Sequence, residues 1–488
     1  MPTEIPPSRD QPIVTWASPV VGGPLGRHAL TAGRSAVSAV RIFVVAALAM
    51  FGVGVLFQGR CFGTDWKSPG SLSHMCSSGL IDKYQSMVSP SGGAASLNPP
   101  DAPIGSTIPQ FPDLIAAPGT RGLIHLLGAF VPGGSLGEQS EVFFAFAMTL
   151  DAAALAFVVI GTARVLGFRR RWRVASVGLS AVLVFAAPGS FDLVAIALAV
   201  WALVLWIDDF AHPGRGWLSG ILLGLAVLVS PVALLVLAAV LIHGLRTRGA
   251  KLRQLTALTC CAIGTAAAGA ALDPSFPGTM QYWLSYGVGP GSLWWLANIG
   301  GVAASQGLEV GLALGIVVLI LVVLGACAAR RPDIWKFETV LSVTLVSSFV
   351  ALPALPPQAS LWLIPVAALT APQWAVQLPW MFCEVFFAVC LSLYRLETAD
   401  PGKGVATWIL VVFVLARLAS IVALLIYKPV DDGFTTPRGW LTSTRHVRLR
   451  ADPPAKSASA DALATPDEVF GDLWGNGDAD DSGSSEQR

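Results

Sequence analysis

Long apolar runs alternate with short polar connections along most of this chain. A polar segment rich in Pro, Gly and Ser (1–35) gives way to an apolar run at 36–57. Further runs lie at 143–165, 174–189, 191–207, 217–229, 231–245, 254–272, 308–328, 337–352, 359–372, 375–395 and 405–427. None shows the period-two alternation of an outer-membrane barrel strand, so each predicts a helix, giving about twelve candidate spans. The first run sits too far from the start, and lacks the small-residue cleavage site, for a secretory signal; it predicts an uncleaved spanning helix. The pairs 174–189/191–207 and 217–229/231–245 have members shorter than the roughly 20 residues a straight span needs. They predict short hairpins or partly re-entrant helices.

Composition narrows the class. Of 488 residues 54% are hydrophobic and 12% charged, and the mean hydropathy is +0.65, which excludes soluble enzymes, collagen-like chains and wholly disordered proteins. The formal charge of +1 supplies no field for nucleic acid. The placement of the charges is more telling. With the amino terminus in the cytoplasm, most Lys and Arg fall on that side, including Arg169-Arg170-Arg171, the group at 246–253 and Arg330-Arg331-Lys336. Outside fall Arg60, Lys67, Lys83, Arg121, Arg395 and Lys403, while Arg417 lies within a span. This asymmetry is what the positive-inside rule requires of a plasma-membrane protein with both termini cytoplasmic. The expected organisation is a disordered amino-terminal segment (1–35), an all-α transmembrane domain (36–428) and a disordered tail (429–488), with external segments at 58–142 and 273–307.

Little in the chain resembles a self-contained catalytic motif. Metal-ligand spacing, a phosphate-binding glycine loop and a Ser/His/Asp signature are all lacking, and neither Asp208-Asp209 nor the acids at 478–481 are expected to hold a metal. No cofactor is implied. Five of the seven cysteines lie in apolar runs; Cys61 and Cys76 share the external loop, where an oxidising compartment favours a disulfide closing about 15 residues, worth roughly 3 kcal/mol. The aromatic residues Tyr282, Trp283, Tyr286, Trp294 and Trp295 fit an interfacial belt, with sugar stacking as the sharper alternative. The tail is basic near the membrane (Arg438, Arg445, Arg448, Arg450) and acidic beyond 461. It reads as solvated, with Val469, Phe470, Leu473 and Trp474 as a candidate docking segment for a protein partner.

The external loop 58–142 is long for a connection between spans, and loops of that length are commonly functional. Within 61–84, Trp66, Ser73-His74, Cys76-Ser77-Ser78 and Tyr84 resemble the first external loop of glycosyltransferase family 87. These are GT-C-type actinobacterial membrane enzymes that use a polyprenyl-phosphate mannose donor. Ser190-Phe191-Asp192-Leu193 resembles the family's Asn-Trp-Asp-Leu, Gly291-Ser292-Leu293-Trp294 its Gly-Ser-Leu-Trp, and Pro357-Gln358 with Leu361-Trp362 its Ser-Pro-Gln-Tyr-x-Leu-Trp; Glu384 matches a Glu in the next helix. The resemblance implies a GT-C-like bundle that moves a hexose from a polyprenyl-phosphate donor to an envelope glycolipid or glycan.

Five polar positions of the family are changed here. The expected base is replaced by Gly79, a Glu by Gln110, two Lys by Leu228 and Pro353, and an Arg-Gly-x-Asp element by Tyr286-Gly287-Val288-Gly289. Asp82 and Asp113 each follow a lost acid by three residues, one helical turn. Asp82 is therefore the expected base, Asp113 a second acid near the acceptor, and Lys83 or Arg121 the holder of the departing phosphate; Tyr84, Asp192 and Gln358 are expected to contact substrate. The rivals are a catalytically inactive homologue that binds lipid-linked sugar or scaffolds envelope assembly, and a lipid or solute transporter.

Two charges lie deep in consecutive apolar runs. Glu384 and Arg417 each sit about 14 Å from the cytoplasmic end of their helix at 1.5 Å per residue. A lone charge there costs at least about 2.5 to 3.5 kcal/mol, so the two are expected to pair.

Overall fold

The computed structural model describes residues 32–64, 66, 70–76, 78–88, 116–167, 173–209, 215–245, 250–285, 288–302, 305–331, 335–370 and 374–426. The amino-terminal segment, the tail, Asp65, Asp113 and the Gln110-Phe111-Pro112 element lie outside them, as do the side chains of Tyr282 and Trp283.

The described residues are helical, with no strand among them. Apart from the short turns Gly59–Thr64, Gly70–Ser73 and Ala175–Gly178, the α-helices in chain order are α1 (Ala32–Gln58), α2 (Gly79–Val88), α3 (Pro118–Gly128), α4 (Leu136–Leu166), α5 (Val182–Ala186), α6 (Asp192–Asp209), α7 (Gly216–Val229), α8 (Ala233–Gly244), α9 (Ala250–Leu272), α10 (Phe276–Ser285), α11 (Leu293–Ile299), α12 (Gln306–Arg330), α13 (Phe337–Ala351), α14 (Leu363–Thr370), α15 (Trp374–Ala399) and α16 (Thr407–Ile426). Two 3-10 helices, Ala187–Gly189 and Pro357–Trp362, lead into α6 and α14.

Six helices are long and apolar enough to cross a membrane, or seven when the pair Val182–Gly189 and Asp192–Ile207, bent by 102°, counts as one span. The expected dozen is not reproduced by length. Helices α7, α8 and α13 are apolar but have 14, 12 and 15 residues, about 18 to 23 Å against a hydrocarbon core of about 30 Å. The run at 174–189 is broken into short pieces before Pro188, and the run at 359–372 opens as a 3-10 helix because Pro356 and Pro357 supply no backbone N–H.

The long helix α4 begins seven residues before its apolar run. Ser135 Oγ accepts from the Glu138 N–H and Glu138 Oε2 accepts from the Ser135 N–H, a reciprocal cap that starts the helix in polar sequence. Around it, α1 and α6 pack on α4, α7 packs on α6 and on α9, and α15 packs on α16. The α7–α9 contact depends on Gly220 and Gly224, four residues apart: a Cβ at Gly224 would lie 2.6 Å from the Ala262 carbonyl, and one at Gly220 would collide with that of Leu258. Such close backbone approach is how helices associate where lipid removes most of the hydrophobic drive.

Candidate functional site

A corner of the bundle forms where the bent pair turns. Pro188 blocks further α-helix, the 3-10 helix Ala187–Gly189 closes, and Asp192 begins α6. Asp192 is half-buried. Its Oδ2 accepts from Ser190 Oγ at 2.7 Å and its Oδ1 from Trp362 Nε1 at 3.2 Å. The helix amino end favours the same negative charge. The amide of Gln358 lies over Gly189, so near that a Cβ there would come within 2.8 Å of Nε2. From the loop ahead of α2, Ser78 Oγ donates to the Pro188 carbonyl at 3.2 Å, which brings Gly79 beside the corner. Behind it, in mid-α4, Asp151 is fully buried with neither carboxyl oxygen hydrogen-bonded among the described residues.

The 3-10 helix Pro357–Trp362 also faces a second polar cluster. Arg417 is fully buried: Nε donates to Glu384 Oε2 at 2.8 Å, Nη1 to the Leu355 carbonyl, and Nη2 to the Pro356 carbonyl at 3.1 Å and Ser360 Oγ at 2.9 Å. Its guanidinium carbon lies 4.2 Å from the Phe387 ring centroid. Trp380 Nε1 donates to Glu384 Oε1 at 3.1 Å. Gly291 presses on this cluster from the connection ahead of α11, where Ser292 Oγ caps the helix by accepting from the Trp295 N–H at 3.1 Å and Trp294 Nε1 donates to the Ala351 carbonyl at 2.9 Å. Short sequence elements scattered over more than two hundred residues thus meet around one six-residue 3-10 helix.

The loop residues are distributed differently. Cys61 and Cys76 are disulfide-bonded with their Cα atoms 5.9 Å apart, both fully buried. Leu80, Ile81 and Tyr84 form the buried face of α2, and Tyr84 stacks on Phe143 of α4 with centroids 4.1 Å apart. Burial pushes the Tyr84 phenol up from its ordinary value. Asp82 and Lys83 are half-buried on the other side of α2.

Arg121 of α3 is drawn away from the corner. Its Nη1 contacts both carboxylate oxygens of Asp273, at 2.7 and 2.9 Å, and Nη2 donates to Thr279 Oγ1 at 2.9 Å and the Ala116 carbonyl at 3.3 Å. Burial would raise the Asp273 carboxyl, but hydrogen bonds from Ser275 and Arg121 and the arginine's charge outweigh it and hold the group below its ordinary value. A depressed carboxylate stabilises the fold above its unfolded value and loses that contribution as pH falls through the folded one. Asp273→Asn is therefore expected to lower stability by roughly 1.5 kcal/mol at neutral pH, the scale of a charge-assisted hydrogen bond. The difference from wild type should shrink below about pH 4; thermal unfolding in detergent across pH measures it, and a pH-independent difference would reject the ion pair as its source.

Sequence reading passed over Asp151, Ser360 and Asp273. A lone acid in the run at 143–165 was the available signal for Asp151, since intramembrane carboxyls are expensive to keep. Ser360 and Asp273 carried no comparable mark, because their partners Arg417 and Arg121 are remote in sequence.

An all-helical bundle with several apolar spans and a polar corner is the architecture of a multi-pass membrane protein. Residues 126–353 match the model of glycosyltransferase family 87, which supports membership of the chain in that family and a membrane glycosyltransferase as its class. The matched segment contains Asp151, Asp192 and Gly291 and ends before Gln358, Glu384 and Arg417. No curated protein and no solved structure gives a significant match.

Proposed function

We propose that the chain transfers a hexose, mannose by its resemblance to the family, from a polyprenyl-phosphate donor to a glycolipid or glycan acceptor at the outer face of the plasma membrane, within a GT-C-like bundle whose termini are both cytoplasmic. The observation that carries the reading is the corner itself: Asp192, Ser190, Gln358 and Trp362 concentrate hydrogen-bonding groups at the end of a bent helix pair in an otherwise apolar bundle. A lipid-linked sugar needs that combination, polar groups for the sugar and apolar helices for the chain. Such a transfer also needs a base for the acceptor hydroxyl and a donor-rich site for the departing phosphate. Asp82 and Lys83, side by side on α2, are proposed to contact acceptor and phosphate, with Asp113 as a further acid; Arg121 serves the phosphate once released from Asp273. Tyr84, Gln358 and Asp192 complete the substrate contacts, and the acidic tail is the proposed docking segment for a protein partner.

The specific observation favouring the rival, a homologue that binds lipid-linked sugar without transferring it, is the loss of charge at Gly79, Leu228 and Pro353. The purified full-length protein in nanodiscs, given polyprenyl-phosphate mannose with labelled sugar and an envelope lipid extract, is expected to form a labelled glycolipid or glycan. Saturable donor binding without any transfer product would establish the rival.

A further inference from the structure

The acids of the bundle differ in the kind of partner that holds them. Glu384 is held by the guanidinium of Arg417 at 2.8 Å, and Asp273 by that of Arg121 at 2.7 Å. In such a pair the guanidinium occupies the carboxylate oxygens that an incoming hydroxyl would need. Asp192 differs: among the described residues its oxygens are held by the neutral donors Ser190 and Trp362, and no ion pair reaches it. It is half-buried, and it follows by four residues the Pro188 carbonyl on which Ser78 is anchored. Gly79, where the family's acid is missing, is the next residue after Ser78.

Asp151 completes the picture from behind. Helices α4 and α6 pack together and both begin beside α2, so they run the same way, and Gly161 of α4 lies against Val200 of α6; Asp151, ten residues before Gly161, and Asp192, eight before Val200, therefore fall near the same level. Asp151 has no donor and no solvent, whereas Asp192 has two donors and a helix amino end. A carboxyl without donor or solvent is held in its neutral form, so Asp151 keeps its proton.

We propose that Asp192 is the proton acceptor of the transfer, taking the place of the acid absent at Gly79, and that Asp151 is the neutral partner of a carboxyl pair with it. The proposal rests on the glycosyltransferase reading. In the step, the acceptor O–H gives its proton to an Asp192 carboxylate oxygen while the acceptor oxygen forms a bond to the anomeric carbon. The bond from that carbon to the phosphate oxygen breaks, and its electron pair leaves with the polyprenyl phosphate. Asp192, now neutral, returns its proton to solvent through its exposed side. Asp151 is a positioning residue: uncharged, it adds neither a cation that would silence Asp192 nor a second anion beside the phosphate.

Other titratable groups are sparse around the pair. Helices α7 and α14 and the 3-10 helices Ala187–Gly189 and Pro357–Trp362 bring none. Helix α2 brings Asp82, Lys83 and Tyr84, α3 brings His125 and the committed Arg121, and α1 brings Arg41 among its described side chains. On α8, His243 packs against Trp206, far along α6 from Asp192. On the pair's own helices are Glu138, Glu141 and Arg164 of α4 and Asp208 and Asp209 at the far end of α6.

The test combines rates with an infrared titration of the full-length protein carrying isotope-labelled aspartate in nanodiscs. At neutral pH a labelled protonated-carboxyl band is expected, absent in Asp151→Asn and shifted in frequency in Asp192→Asn, because the neighbouring charge is gone. In the transfer assay Asp192→Asn is expected to lose about 10²- to 10⁴-fold in kcat, the usual contribution of a positioned base. Persistence of the band in Asp151→Asn overturns the pair whether or not the protein transfers sugar. Transfer by wild type with an unaltered rate in Asp192→Asn, or with a greater loss in Asp82→Asn, overturns Asp192 as the acceptor and leaves the glycosyltransferase reading standing. Absence of wild-type transfer beside an intact infrared signature rejects that reading and the acceptor role together, leaving the carboxyl pair.

Discussion

Arg417→Met is expected to be among the most destabilising single substitutions in the bundle, and more damaging than Glu384→Gln. Breaking a buried ion pair on one side typically loses about 3 to 5 kcal/mol, because the surviving charge is stranded. The two partners are not equivalent, however. Glutamine at 384 keeps an oxygen for the Trp380 N–H, at 3.1 Å from the present carboxylate, and leaves Arg417 its other acceptors. Methionine at 417 strands Glu384 and also deprives the Leu355 and Pro356 carbonyls and Ser360 of their donor. Each buried acceptor left without a partner costs about 1 to 3 kcal/mol. The double variant should recover only the electrostatic part of the loss. Thermal unfolding of the four proteins in one detergent gives the coupling; additive losses, or a milder Arg417→Met, would show that the pair is not what holds these helices together.

Gly291→Ala is expected to cost about 3 kcal/mol, from two independent sources. Gly291 has φ +91°, where an L side chain is strained by roughly 1 to 2 kcal/mol. A Cβ there would also lie 2.8 Å from the Phe387 ring and 2.9 Å from Arg417 Nη1, and against the Leu355 carbonyl, an overpacking worth typically 1 to 3 kcal/mol. The second part should fall when Arg417 is already methionine, since a flexible thioether can yield where a guanidinium fixed by four hydrogen-bond acceptors cannot. A Gly291→Ala loss of the same size in both backgrounds would assign the whole effect to the backbone.

The sequence made the apolar helices legible because lipid demands long uninterrupted runs, and the edges were lost where another rule took over. The beginning of α4 is set by the Ser135–Glu138 cap in polar sequence, which a search for apolar runs passes by. The break before Asp192 is set by Pro188 and packing. Depth along consecutive helices is readable from residue counts, and Glu384 and Arg417 lie 2.8 Å apart. Arg121 shows the limit of such reasoning: its charge is visible in the sequence, but the carboxylate that occupies it, Asp273, is 152 residues away. Similarly, Asp192 could be matched to a motif while Asp151 belonged to none, and only the packing of α4 on α6 makes them neighbours.

Ser360 and Trp362 belong to the same six-residue 3-10 helix, and one is gripped by Arg417 while the other grips Asp192. The two clusters consequently share a mechanical linkage, so a movement of α15 and α16 reaches the corner through this helix as well as through the packing of α15 on α5. A change in bilayer thickness that slides these helices against each other would tug the indole and, through it, the carboxylate at the mouth of the bend. Turnover is then expected to depend on the acyl-chain length of the surrounding lipid, with Trp362→Phe, which has no N–H to pull with, losing much of that dependence.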